Sequence, residues 1–254
     1  MRTLARILPL ALVAALAAAV AAGCGGVQLD PVAQAATSSA DAGSFRFEAT
    51  LSFTSEQAKA QHATITGRYD AEANRLALDL DAAGTPIDAV VGLGAKPVVY
   101  ARLPSGNSWL KLDLTTMAKA RGADLDGLSP EQWKPQQLLD SLKQVGDSTK
   151  VGEEKLDGVE TTHYRVEVDP KKLIEKQPEA QRQAAEKALE QSGIDRVPVD
   201  VWVGDDDLLR RISLHLGGSA GMPFALEARL DLSDYGSDVH VALPPADQVI
   251  GKTR

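Results

Sequence analysis

The chain has 254 residues, with 27 Lys and Arg against 35 Asp and Glu, a formal charge of −8, and a single cysteine, Cys24. One cysteine excludes an internal disulfide and any cysteine-based zinc site or iron–sulfur cluster. The acidic balance argues against a nucleic-acid partner, because neutralising phosphates takes clustered Lys and Arg.

Residues 1–23 read as a targeting segment. Arg2 and Arg6 make a basic start, an uncharged apolar run extends from Ile7 to Ala22, and the small residues Ala21, Ala22 and Gly23 stand before Cys24. This is the order of a secretory signal peptide. The run is marginal for a transmembrane helix, which needs about 20 apolar residues. Ala21-Ala22-Gly23-Cys24 resembles a bacterial lipobox, in which the cysteine becomes the lipidated first residue of the mature protein; Ala21 stands where the best lipoboxes have Leu. A plain signal peptide with an incidental cysteine, or an uncleaved anchor, are the alternatives. Residues 24–29 then form a lipidated N-terminus and short tether. Arg2 and Arg6 are the only charges of the leader, so the remaining chain is more acidic still.

Residues 30–254 read as one domain, since no long linker divides them. Asp30-Pro31 has the form of a helix start, with Asp as N-cap and Pro in the first turn, and Gly43 a place to end. A flexible tether through Ser38 and Ser39 is the alternative. From Ser44 the period changes to two. Phe45, Phe47, Ala49, Leu51 and Phe53 alternate with Ser44, Arg46, Glu48, Thr50 and Ser52, which predicts a strand with one apolar and one polar face. Further strands are predicted over 63–70, over 75–81 with Leu76, Leu78 and Leu80 on one face, over 88–93 and 96–102, and over 108–113 with Trp109. Helices are predicted over 115–121 and 135–145, where Leu138, Leu139 and Leu142 have the spacing of one helix face. Asp157-Gly158 is a hairpin turn signal between strands 148–156 and 159–168. A helical stretch follows over 170–192, ending near Gly193, and strands over 197–203, 208–216 and 223–233 complete a count of about eleven. The class is α+β, mostly antiparallel, and each one-sided strand must bury its apolar face against a core, the helices or a ligand.

Sites of chemistry are sparse. His62, His163, His215 and His240 lack the spacing of a helical metal pair. Asp205-Asp206-Asp207 reads as a solvated turn rather than a calcium loop, whose oxygen ligands alternate along the chain. Arg210 and Arg211 are expected on alternating faces, pairing with acids across strands. Gly-x-Ser-x-Gly spacing occurs at Gly217-Gly218-Ser219-Ala220-Gly221, but between two predicted strands rather than at the strand-to-helix turn of a nucleophile elbow, and no glycine run forms a phosphate loop, so no enzyme, cofactor or metal is expected. The candidates to line a ligand cavity are Phe45, Phe47, Leu51, Phe53, Leu78, Leu80, Trp109, Leu139, Leu142, Trp202, Leu214 and Leu226, with Trp202 set opposite Val201 and Val203. A dry core made of the same residues reads identically.

Val151 to Tyr164, the run Pro198-Val199-Asp200-Val201-Trp202-Val203 followed by Leu209-Arg210-Arg211-Ile212, and Asp234-Tyr235-Gly236 before Val239, Val241 and Pro244 resemble actinobacterial lipoproteins related to the LolA/LolB and LppX/LprG groups. The resemblance spans about residues 42–250. It implies a strongly curved antiparallel half-barrel of about eleven strands with helices covering the concave face. It also implies an apolar space between sheet and helices that holds acyl chains. The expected function is then a membrane-anchored, extracytoplasmic lipoprotein that binds an acylated lipid or lipoprotein and hands it on. The alternative is a ligand-free interaction or regulatory module meeting an envelope protein.

Overall fold

The computed structural model describes residues 30–55, 58–82, 84–93, 98–102, 106–113, 148–175, 182–183, 186–187, 189–190, 193–217 and 224–250. The leader with Cys24, and the predicted helices at 115–121 and 135–145 with Leu139 and Leu142, lie outside these residues.

Helix α1, Pro31–Asp41, precedes six strands, β1 (Phe45–Ser55), β2 (Ala58–Asp70), β3 (Arg75–Ala82), β4 (Thr85–Gly92), β5 (Val98–Arg102) and β6 (Trp109–Asp113). The β7 (Ser148–Leu156) and β8 (Val159–Val168) hairpin leads to the short helix α2, Pro170–Ile174. Then come β9 (Val197–Gly204), β10 (Leu209–Gly217), β11 (Phe224–Ser233) and a two-residue β12 (Val249–Ile250). Among the described residues all twelve strands join one open sheet in the order β12-β6-β5-β4-β3-β2-β1-β11-β10-β9-β8-β7. Every pair is antiparallel except β12 with β6. The twelfth strand is the addition to the expected eleven. It pairs only Val249 with Trp109 and Ile250 with Leu110, too short a segment to carry a period-two signal.

Local chemistry explains the punctuation. Asp157 and Gly158 both take positive φ, 48° and 89°, the conformation that a two-residue type I′ hairpin requires. Gly43 ends α1 at φ 83°, a left-handed position that costs glycine little. Asp169 caps α2 by accepting a hydrogen bond from the Lys171 N–H, with Pro170 in the first turn. Between α2 and β9, the described residues at 182–183, 186–187 and 189–190 are helical, in keeping with the helical stretch expected there.

Cross-strand register sorts the side chains into two faces. On one, Phe47 stands beside Leu232 and Gly67, Gly67 beside Leu78, and Leu78 beside Ala89. The next rows join Ala49, Leu230, Ile212 and Val201, then Leu51, Ala228, Leu214, Val199 and Val166. This is the apolar face. Helix α1 covers one end of it, placing Val32, Ala35 and Ala36 in a core with Phe45, Tyr69, Leu93, Leu209 and Leu232. At Gly67 a Cβ would come within 2.4 Å of the Phe47 ring, so the missing side chain is what admits that ring.

The opposite face is charged along most of its breadth, but β3–β6 carry a second apolar cluster there. The C-terminal segment crosses those strands and packs Val239 and Val241 on Ala77, Val90, Tyr100 and Trp109. Asp70, 2% exposed, clamps that segment by accepting from the backbone N–H groups of Ala73 and Val241, both at 2.9 Å. Arg75 donates to the Val241 carbonyl at 3.0 Å.

Candidate functional site

The apolar face of β3-β2-β1-β11-β10 gathers most of the predicted lining. Phe45, Phe47, Leu51, Phe53, Leu78, Leu80, Leu214 and Leu226 all project from it, as their pairings require. Its two ends differ. At the α1 end Phe45 is 2% exposed and its ring meets those of Phe47, Tyr69 and Tyr235 at centroid distances of 6.3, 5.4 and 5.8 Å. At the far end of the same strand Leu51 is 40% and Phe53 38% exposed. Leu80, Leu214 and Leu226 are intermediate. An apolar strip of this kind offers dispersion contacts and no directional partners, which suits hydrocarbon.

Two candidates do not share this face. Trp202 pairs with His163 and Arg211, on the charged side. Its ring stacks on His163 at 4.3 Å, the Arg211 guanidinium lies 5.9 Å from its centroid, and its Nε1–H donates to Glu154. His163 bonds Asp200 at 2.9 Å, and Asp200 also accepts from Arg165, a structural hydrogen-bonding role. Trp109 belongs to the second cluster under the C-terminal segment, with Arg102 5.0 Å above its ring. The sequence expectation puts both tryptophans in the cavity lining; register places them on the other side of the sheet.

Arg211 makes the expected pairing across strands, reaching Asp231 at 2.5 Å, whereas Arg210 reaches Asp206 at 2.5 Å within the adjoining turn. Their faces do not simply alternate. The register slips between Leu209 and Arg211, so Leu209 remains fully buried in the core while Arg211 opposes Trp202. Asp205, Asp206 and Asp207 form an exposed turn, and Gln34 donates to Asp207 at 3.3 Å. Tyr235 donates to the Leu209 carbonyl at 2.8 Å. Burial pushes the pKa of its hydroxyl up to about 12, against the opposing influence of a hydrogen bond with Ser39 and of Arg210. Among the described residues no cluster of three or more His, Cys, Asp or Glu is arranged to hold a metal ion, and no helix is long and apolar enough to cross a membrane.

No family model matches the chain. Over 150 residues it is 30% identical to an uncharacterized 31.2 kDa protein of the rplA–rplJ intergenic region of Streptomyces griseus. That match takes in 57% of this chain and 48% of the other, so the chain spans about half the length of the curated relative it matches. Among solved structures, it is similar to LprF from Mycobacterium bovis at 12% identity and a TM-score of 0.48, covering 84% of this chain and 95% of that one. It is similar to the lipoprotein LppX from Mycobacterium tuberculosis at 16% identity and a TM-score of 0.45, covering 84% and 100%. A LolA superfamily protein from Nitrosomonas europaea is similar at 11% identity and a TM-score of 0.27, covering 82% and 94%. The similar solved structures thus include a mycobacterial lipoprotein and a LolA-superfamily protein.

Proposed function

We propose that the chain is an extracytoplasmic lipoprotein, held on a membrane by acyl chains on Cys24, that binds an acylated lipid or lipoprotein against the apolar face and hands it on. In this reading residues 1–23 are a removed signal, 24–29 a tether, and 30–254 one LolA-like domain. Its sheet curves around the ligand, and helices at 115–145 and 170–192 close over it. The protein is a carrier rather than an enzyme and needs no cofactor.

One observation carries the reading: a continuous apolar face whose residues are sealed at the α1 end and exposed at Leu51 and Phe53. Covering apolar surface is worth about 25 cal/mol per Å². Each buried CH₂ of an acyl chain contributes about 0.8 kcal/mol. A strip of Phe and Leu therefore binds hydrocarbon without any polar motif.

The test is lipid mass spectrometry on solvent extracts of the full chain purified from membranes. Solvent removes non-covalent lipid and leaves acyl groups bonded to Cys24, so the two are read separately. The account expects a stoichiometric acylated molecule in the extract. A clean extract, from protein that also refuses added lipid, would overturn it. Cys24→Ala is expected to move the protein to the soluble fraction; retention in the membrane would point to an uncleaved helix.

A further inference from the structure

The charged side of the sheet holds a cleft of about 840 Å³, floored by β1, β2, β3 and β11 and walled by the β7–β8 and β9–β10 turns. Arg46 on β1 stands directly opposite Arg68 on β2. Like charges opposed across strands are destabilising unless something neutralises them. Arg46 reaches Asp234 at 3.2 Å, with both side chains more than half exposed. An ion pair that exposed is worth little and exchanges readily. Arg68 has no ion-pair partner among the described residues.

Two residues further along the strands, about 7 Å at the usual rise, the pattern inverts. Glu48 opposes Thr66, and Thr66 opposes Asp79, so two carboxylates flank one hydroxyl in a single row. All three residues line the cleft. Glu48 and Asp79 likewise have no ion-pair partner among the described residues. Of the other charges, Arg229 shares Asp231 with Arg211, at 2.6 and 2.5 Å, and Arg210 holds Asp206, while Asp157 on the β7–β8 turn has no ion-pair partner among the described residues. On the floor of the cleft the unmatched set is thus one guanidinium, backed by a second, next to a pair of carboxylates.

We infer that this cleft binds a zwitterion of the phosphoethanolamine class, its phosphate on Arg68 and Arg46 and its ammonium on Glu48, Asp79 and the Thr66 hydroxyl. A guanidinium presents a planar fork that matches phosphate oxygens two at a time. A primary ammonium has three donors and no acceptor, which the two carboxylates and the hydroxyl absorb. A simple anion would leave the carboxylate row beside it, and a simple cation would face the arginine row. A ligand that carries both charges on a two-carbon bridge satisfies both rows. The site lies on the face opposite Leu51 and Phe53, so it stands or falls independently of acyl-chain binding there.

The same chemistry occurs on a membrane lipid and on a soluble glycerol ester, and the experiment separates them. Calorimetric titration of the full chain in detergent would use glycerophosphoethanolamine, inorganic phosphate and ethanolamine as probes. Saturable binding of the zwitterion, at least tenfold tighter than either half alone, is expected. Arg68→Gln should weaken it at least tenfold. Glu48→Gln and Asp79→Asn should each weaken it at least threefold while leaving inorganic phosphate unchanged or tighter. All three side chains are exposed, and an unchanged melting temperature checks that each variant is folded; Arg68→Lys, which keeps the charge and loses the fork, should fall between wild type and Arg68→Gln. Competition by phosphatidylethanolamine doped into the micelles assigns the lipid as source, and binding without such competition assigns the soluble ester. No saturable binding, binding indifferent to Arg68→Gln, or phosphate bound as tightly as the zwitterion would each overturn the assignment.

Discussion

The two ends of β1 have the same sequence pattern and opposite environments. Phe45 is 2% exposed among three other aromatic rings, whereas Leu51 and Phe53, six and eight residues on and on the same face, are 40% and 38% exposed. Alternation of apolar and polar residues specifies which side of a sheet is greasy. It does not specify what covers that side. At the Phe45 end the cover is α1, whose Val32, Ala35 and Ala36 sit in the core. Small alanines let the helix approach the strands closely, and Ser39 accepts a hydrogen bond from the Leu209 N–H at 2.8 Å. In the proposed reading the closed end is a stability element and the open end a binding surface, and substitutions should separate the two.

Phe45→Ala should have the largest effect, costing about 3–5 kcal/mol by loss of transfer energy and creation of a cavity, read from urea unfolding. A loss under about 1 kcal/mol would erase the distinction between the ends. Asp70→Asn should cost about 1–3 kcal/mol, because an amide cannot accept from both the Ala73 and Val241 N–H groups as the carboxylate does. Burial alone pushes the Asp70 carboxyl up, but those two hydrogen bonds, with His240 and Arg75 nearby, outweigh it and hold the group below its usual range. With the folded value lowered, its contribution is fully present above the unfolded carboxylate range. It is lost as pH falls through the folded value, so acid unfolding of Asp70→Asn should be less steep.

Tyr235→Phe should cost about 1 kcal/mol, the net worth of a typical hydrogen bond. Here the folded value is raised, to about 12. The native state then keeps its proton after the unfolded chain has lost it, and stability declines between about pH 10 and 12; Tyr235→Phe should flatten that decline. The effect on stability should be far smaller at the open end than at Phe45. Phe53→Ser should cost about 1 kcal/mol, because only part of the ring is buried, yet reduce the lipid recovered on extraction. Normal lipid content in that variant would move the binding surface elsewhere.

Much of the architecture was legible because period two is a strong signal where one face is buried. The segment from Phe45 to Phe53, the hairpin at Asp157-Gly158 and the helix from Pro31 all follow from side-chain alternation, turn chemistry and capping. The tryptophans were not legible. A Trp in a strand counts as apolar, but Trp202 uses its N–H and ring for Glu154, His163 and Arg211 on the charged side. Trp109 is covered by Val239 and Val241, which lie far along the chain from it. Only register and a distant segment decide such cases. The slip at Leu209–Arg211 was equally hidden, since it inverts the face of Arg211 without any glycine or proline to mark it. The Arg46–Arg68 and Glu48–Thr66–Asp79 rows also need register, because their members lie on three separate strands.

The account rests on the apolar face being where hydrocarbon lies. Photo-crosslinking tests this most directly: the full chain is loaded with a phospholipid carrying a diazirine midway along one acyl chain, irradiated, and its labelled peptides are mapped by mass spectrometry. The prediction is adducts on the segments bearing Leu51, Phe53, Leu214 and Leu226, with little label near Phe45. Label confined to the charged side around Trp202, or no label above that of a denatured control, would contradict it.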